Sequence, residues 1–191
     1  MSQKILVMVG TQKGAFFYVS DENRTEWQLS GPFLSGWSVD ALLGEGLGRR
    51  RIWAATSHEA YGPVLRVSDD LGQTWRQLEA RPQYPPATGW KFNRIWQLAQ
   101  HPTDAGTVFA GVEEAGLFVS RDGGRSWREL DGLTRHPSRP KWFPGNGGLC
   151  LHTILIDPKA PQRMWVAISS VGVFGTSDGG VSWRAMNRGL P

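Results

Sequence analysis

Ser120-Arg121-Asp122-Gly123-Gly124-Arg125-Ser126-Trp127 is the stretch whose reading decides the fold of this 191-residue chain. Its informative positions are Ser120, Asp122, Gly124 and the pair Ser126-Trp127. The same octet returns as Ser68, Asp70, Gly72, Thr74 and Trp75, and again as Thr176, Asp178, Gly180, Ser182 and Trp183. A worn copy carries Ser20, Glu22 and Trp27, with Arg24 and Glu26 in place of the Gly and the Ser/Thr. Each residue type has a local reason. An Asp carboxylate accepts hydrogen bonds from backbone N–H groups further along a tight turn, and a Ser or Thr hydroxyl does so more weakly. Gly supplies a positive φ without a Cβ clash. Trp opens the following strand and offers a large apolar plate. Turn chemistry accounts for the whole octet, which is therefore read as structural rather than catalytic.

Working outward, Trp27, Trp75, Trp127 and Trp183 stand 48, 52 and 56 residues apart. Between them lie short runs rich in β-branched and aromatic residues, such as Ile52–Thr56, Val64–Val67, Val108–Val112 and Met164–Ile168. A period near 50 residues with four short strands predicts an all-β propeller of four-stranded antiparallel blades. No stretch holds an apolar period of 3.6, so almost no helix is expected. The units fall at 1–31, 37–80, 93–131 and 150–188, in one partial propeller domain. The first lacks its innermost strand and ends at Gly31-Pro32, so the ring is incomplete: three blades plus a partial one.

Composition narrows the functional classes. The 21 basic and 17 acidic residues are scattered, and Arg49-Arg50-Arg51 is the only basic run. A solvated turn explains that run, and no nucleic-acid partner is expected. Cys150 is the only cysteine, which excludes an intrachain disulfide and a Cys-based zinc site. The start, Met1-Ser2-Gln3-Lys4 before Ile5–Val9, is too short an apolar run for a signal peptide, and no segment has the length of a membrane span. The expectation is a cytoplasmic chain with no membrane partner, no cofactor and no metal.

In an up-and-down meander, successive turns alternate between two faces. With strands a to d counted from the centre outward, the a–b turns and the c–d octets share one face. The variable b–c and d–a loops share the other, and function sits on variable loops held by a rigid frame. That face gathers Lys13 and, as ligand-binding candidates, Trp37, His58, Tyr61, Trp90, Lys91, Arg94, Trp142, Asn146 and His152. Asp40, Glu59, Glu113 and Glu114 are the candidate catalytic carboxylates. Trp37, Trp90 and Trp142 each precede an inner strand, where an indole stacks on a sugar ring or packs blade against blade.

At the octets, and at Gly116-Leu117-Phe118 and Gly172-Val173-Phe174 just before two of them, the chain resembles the Asp-box (BNR-repeat, sialidase-like, WD40/YVTN/BNR-like) β-propellers. The resemblance implies a ring of about seven blades, of which this is an N-terminal half. It implies a binding or assembly scaffold with a loop-face site at the channel mouth. Its alternative is a glycoside-hydrolase-like or glycan-binding propeller using carboxylates and Trp platforms. The sequence holds no Arg-Ile-Pro, and Arg94-Ile95 runs on into Trp96, so the likeness does not extend to a true sialidase. The expected partners are a carbohydrate or a protein. Ring closure would come from a missing C-terminal half-propeller or from a second copy of the chain.

Overall fold

The computed structural model describes residues 4–47 and 50–189. Arg49 of the basic run, Met1–Gln3 and the chain end at Pro191 lie outside the described residues. The first sheet holds β1 (Ile5–Thr11), β2 (Gly14–Ser20) and β3 (Gln28–Phe33). The second holds β4 (Ser38–Gly44), β5 (Ile52–His58), β6 (Gly62–Ser68) and β7 (Arg76–Gln77). The third holds β8 (Ile95–Gln100), β9 (Val108–Val112), β10 (Gly116–Ser120) and β11 (Arg128–Glu129). The fourth holds β12 (Leu151–Ile156), β13 (Met164–Ile168), β14 (Gly172–Thr176) and β15 (Arg184–Ala185). Among the described residues helix is confined to α1 (Asp131–Thr134) and two 3-10 turns, Pro86–Thr88 and Arg139–Lys141. Among the described residues no helix is long and apolar enough to cross a membrane.

Every strand pairs antiparallel with its chain neighbour inside its sheet. Strands β4, β8 and β12 lie side by side around the centre, and β1 lies beside β4. The sheets therefore fan out as blades. The core consists of the seams between them: Phe17 with Val39 and Ile52, Trp53 with Val108 and Phe118, and Leu117 with Leu151 and Phe174. The central blades are buried on both faces, which is why β9 and β10 read as unbroken apolar runs. Strand β1 occupies the b position, since β2, next after it, runs into the worn turn as β6 runs into an intact one. No inner partner strand for β1 exists among the described residues.

The three intact octets repeat one hydrogen-bond pattern. The Ser68, Ser120 and Thr176 hydroxyls each donate to the turn Asp and accept the Gly N–H. The Asp then accepts the backbone N–H and the hydroxyl of Thr74, Ser126 or Ser182. Gly72, Gly124 and Gly180 have φ of 90°, 89° and 90°. The residue before each is also left-handed: Leu71, Gly123 and Gly179. Trp75 and Trp183 donate their indole N–H back to the turn at the Gly72 and Gly180 carbonyls. Gly123 N–H reaches the Gly106 carbonyl and Gly179 N–H the Gln162 carbonyl, so the octets share their face with the a–b turns.

The first unit departs from the expectation in two ways. Gly31-Pro32 does not end it: β3 continues to Phe33, which pairs with Ala15 across a register shift. In the worn turn Asp21 accepts the Asn23 and Arg24 N–H groups, one position ahead of the Asp in the intact octets. Arg24 then adopts a φ of 56°, where a side chain is strained.

Hydrogen bonds from the hydroxyls and N–H groups hold the Asp70 and Asp122 carboxyls down to about 2, and Asp178 is lowered by the same pattern. A depressed carboxyl stabilises the fold above its unfolded value of about 3.9 and ceases to as pH falls through its folded value. The urea midpoint should therefore fall between pH about 4 and about 2. An Asp70→Asn/Asp122→Asn variant should start lower at pH 6 and lose less across that window. An equal loss in both proteins would exclude the turns as the source.

Candidate functional site

On the face opposite the octets, loops of three successive blades enclose a cleft of about 700 Å³. Gln12 comes from the β1–β2 turn, Ser38 from the start of β4, and His58 and Glu59 from the β5–β6 turn. Phe92, Asn93 and Arg94 enter from the strand-free stretch before β8. The cleft lies among the b–c and d–a loops, and a further hollow of about 490 Å³ lies on the octet face between His101, Arg121, Asp178 and Gly180.

An aromatic group separates the cleft, which its His58 lines, from a second groove of about 600 Å³, which its Trp37 and Tyr61 line. Trp37 and Tyr61 stack with centroids 5.8 Å apart and planes 28° apart, and His58 lies 5.2 Å from Trp37 and 5.0 Å from Tyr61. Tyr61 is 71% exposed, so its ring is presented to solvent. Gln77, Glu79 and Arg81 line that second groove as well, and Pro63 borders both. The Arg66 guanidinium lies 3.8 Å from the Trp37 ring centre and donates to the Thr56 hydroxyl, which holds the indole from behind. Burial lowers the Arg66 pKa. His58 Nδ1 accepts the Ala60 N–H, so a neutral imidazole carries its proton on Nε2 and can donate with it.

The floor is polar. Arg94 Nε lies 3.5 Å from Asp40 Oδ1, and the guanidinium lies 4.9 Å from the Trp96 ring centre. The Asp40 side chain is only 6% exposed and takes a further hydrogen bond from the Ser38 hydroxyl. Asp40 reaches this place through a β-bulge: Val39 pairs with Thr56 and Ala41 with Ala55, which leaves Asp40 as the extra residue. The same irregularity sets Trp96 apart in β8 and His152 in β12. Bulges re-aim one side chain each, so three consecutive inner strands present Asp40, Trp96 and His152 at matching positions. Asp40 Oδ2 and Trp96 Nε1 are buried without a hydrogen-bond partner among the described residues.

The other candidates separate from this cleft. Glu113 is reached through Asn93, whose Nδ2 lies 3.4 Å from its Oε1, and its backbone bridges to Cys150. Burial, with Glu113 nearby, raises the Cys150 thiol. Trp90 and Trp142 hold the Arg139 guanidinium between them, at 4.4 and 4.8 Å. Arg139 also donates to the Glu114 and Ala115 carbonyls, which locks the long loop before β12 onto the third blade. Lys91 is exposed beside Trp90, and Asn146 is exposed on the turn closed by Gly145 and Gly148. His152 is exposed, with Nδ1 2.9 Å from the Thr153 hydroxyl. Among the described residues no group of three or more His, Cys, Asp or Glu is placed to hold a metal ion. Gln12 and Asn93 line the cleft, Arg66 supports Trp37 and Trp96 supports Arg94, and none of the four is a candidate from the sequence. Arg94-Ile95-Trp96 was the available signal, had the bulge been legible.

The arrangement offers an apolar ring face, N–H donors from Arg94, Asn93 and His58, and an exposed carboxylate at Glu59. That set matches a ligand carrying both flat apolar faces and hydroxyl groups.

No protein-family model matches the sequence. A curated relative, the oligoxyloglucan-reducing end-specific xyloglucanase of Emericella nidulans, is 28% identical over 181 residues, covering 91% of this chain and 21% of its own length. The chain thus spans about a fifth of that relative. Among solved structures, the GH74 xyloglucanase of Xanthomonas campestris superposes with a TM-score of 0.68 at 18% identity, covering 99% of this chain and 29% of the other. YCF48 of Cyanidioschyzon merolae superposes with a TM-score of 0.58 at 15% identity, covering 94% of this chain and 52% of the other. These likenesses and the fanned sheets establish the fold: the chain is an incomplete β-propeller of antiparallel blades.

Proposed function

We propose that the chain is a glycan-binding portion of a glycoside-hydrolase-like propeller, with a xyloglucan-type polysaccharide lying in the loop-face cleft. The observation that carries the reading is the Trp37–Tyr61 stack, joined through His58 to a cleft lined by Arg94, Asn93 and Glu59, in a chain whose curated relative is a xyloglucanase. The scaffold reading from the sequence yields to this one, because the relative aligned over most of the chain is named for a polysaccharide. A sugar ring would lie against Tyr61, and its hydroxyls would be met by Asn93, Arg94 and His58. Hydrolysis by paired carboxylates takes two such groups about 5–9.5 Å apart. Glu59, exposed at the rim, is the carboxylate this site offers to a bound sugar. Asp40 is held behind Arg94 and acts by fixing that guanidinium.

Affinity electrophoresis in gels containing soluble xyloglucan tests the reading. The chain should be retarded, and Tyr61→Ala should weaken binding about 10-fold, as expected for loss of an aromatic contact of about 1–1.5 kcal/mol. Tyr61 lies on the surface, so the variant should keep the parent's circular dichroism. Unchanged mobility of the parent chain in xyloglucan and in other neutral β-glucans would end the proposal.

A further inference from the structure

The seams between blades are built alike, and one of them is underfilled. Each intact octet turn rests its Gly on the blade before it. A Cβ on Gly72 would come within 2.6 Å of the Phe17 ring, and one on Gly124 within 2.7 Å of both Trp53 and Leu78. One on Gly180 would meet Leu130 at 2.9 Å, then Met164 and Trp183 at 3.5 Å, and Phe109 is not among these nearest neighbours. Phe109 nevertheless stands where Trp53 stands one blade earlier. Each is the second residue of its strand, β9 or β5, and they pair with Val119 and Val67. Phenyl is shorter than indole, so the ring that reaches Gly124 has no counterpart beneath Gly180.

A second exchange removes a carboxylate from the same place. Glu45 and His101 begin corresponding a–b turns, donating their backbone N–H groups to the Arg51 and Thr107 carbonyls. Glu45 is 7% exposed and takes the Trp53 indole N–H at 2.6 Å. One blade later the two places hold His101 and Phe109, and both line the octet-face hollow of about 490 Å³ together with Leu130 and Met164. The charge at the rim also changes sign. Asp69, which pairs with Arg51 in the second blade, gives way to Arg121 in the third. Arg121 and Arg128 line the hollow as exposed cations with no ion-pair partner among the described residues. His101 Nδ1 accepts the Thr103 and Asp104 N–H groups, so a neutral imidazole carries its proton on Nε2 and can donate with it. The acidic side chains are already engaged. Asp178 serves Thr176 and Ser182, Glu129 takes the Thr134 hydroxyl, and Asp131 pairs with Arg135. Asp104, near Arg121, serves the Gly106 N–H and the Thr107 hydroxyl.

We propose that the hollow between the third and fourth blades is a binding site for a small aromatic carboxylate. The ligand's ring takes the place that the Trp53 indole fills one seam earlier, against Phe109, Leu130 and Met164. Its carboxylate takes the place of Glu45 and is met by Arg121, Arg128 and His101. The ligand thus restores the ring and the charge that the preceding seam carries in its own chain. The volume falls within the range of small-molecule sites, about 300–1,000 Å³. The site lies on the face opposite the glycan cleft, and the inference is independent of the glycan reading.

Isothermal titration of the chain with indole-3-acetate tests it. Saturable binding should appear with a Kd at or below about 1 mM, the strength open to a ligand of this size. Indole-3-acetamide has the same ring without the charge and should bind at least about 10-fold more weakly, the cost of losing a charge-assisted hydrogen bond. Arg121→Gln, at an exposed position, should weaken the carboxylate at least about 10-fold for the same reason. His101→Glu/Phe109→Trp copies the preceding seam into this one and should abolish binding while keeping the parent's circular dichroism. Any of four results would overturn the proposal. They are no saturable binding of indole-3-acetate up to about 5 mM, equal affinity for the acid and the amide, unchanged affinity in Arg121→Gln, and binding that survives in the folded double variant.

Discussion

Trp53→Ala should lower the unfolding free energy by about 3–5 kcal/mol, the range for truncating a large buried aromatic. Trp53 is fully buried, and its Nε1 donates to Glu45 Oε1 at 2.6 Å. The substitution removes an indole from the seam between the second and third blades and takes one donor from a buried carboxylate. It also removes the plate on which the Gly124 turn rests. Damage should therefore spread to the third blade. Urea unfolding followed by circular dichroism measures the loss, and a change below about 1 kcal/mol would show that the seam is not close-packed. Tyr61, beside the cleft, lies on the same blade, so the variant should also bind glycan less well at temperatures where that blade is partly open.

Gly111→Ala should cost at least about 1–3 kcal/mol, from overpacking against backbone that cannot move alone. A Cβ there would lie 2.5 Å from the Leu151 carbonyl oxygen and 2.5 Å from Leu151 Cδ2. The side-chain carbon can turn away, but the oxygen belongs to the start of β12, beside the His152 bulge. Relief therefore requires β12 to shift outward. Gly10 stands in the same relation to the Val39 carbonyl, at 2.4 Å. Gly147→Ala is the control: nothing lies within 4 Å of its Cβ, and its effect should stay within about 0.5 kcal/mol. Equal effects at Gly111 and Gly147, read from urea midpoints, would remove the close approach of the inner strands as a determinant of stability.

The period and the blades were legible because they depend on local chemistry. An Asp two residues after a Ser, and a Gly two residues further, close a turn whatever surrounds them. The three tryptophans before the inner strands looked equivalent for the same reason, and they are not. The loop from Asp131 to Gly148 returns Arg139, which takes Trp90 and Trp142 together. Trp37 has Arg66 behind it and Tyr61 before it. The bulges were illegible, because a single extra residue leaves the alternation of β4, β8 and β12 almost unchanged. Asp40 and His152 drew attention for their chemistry, and Trp96, at the matching place, drew none. In the worn turn the Asn23 and Arg24 N–H groups go to Asp21, one position ahead of the Asp in the intact octets, a difference that side-chain type alone does not reveal.

The seating of each octet glycine on the blade before it gives the chain a direction, like tiles lapped on a roof. Each tile is held down at its lower edge by the next, so the last laid is the first to lift. Pulled from its two ends, the chain should yield as a staircase that begins at the fourth blade and climbs toward the first. Each step should have the length of one repeat, because contacts of this kind join only neighbours.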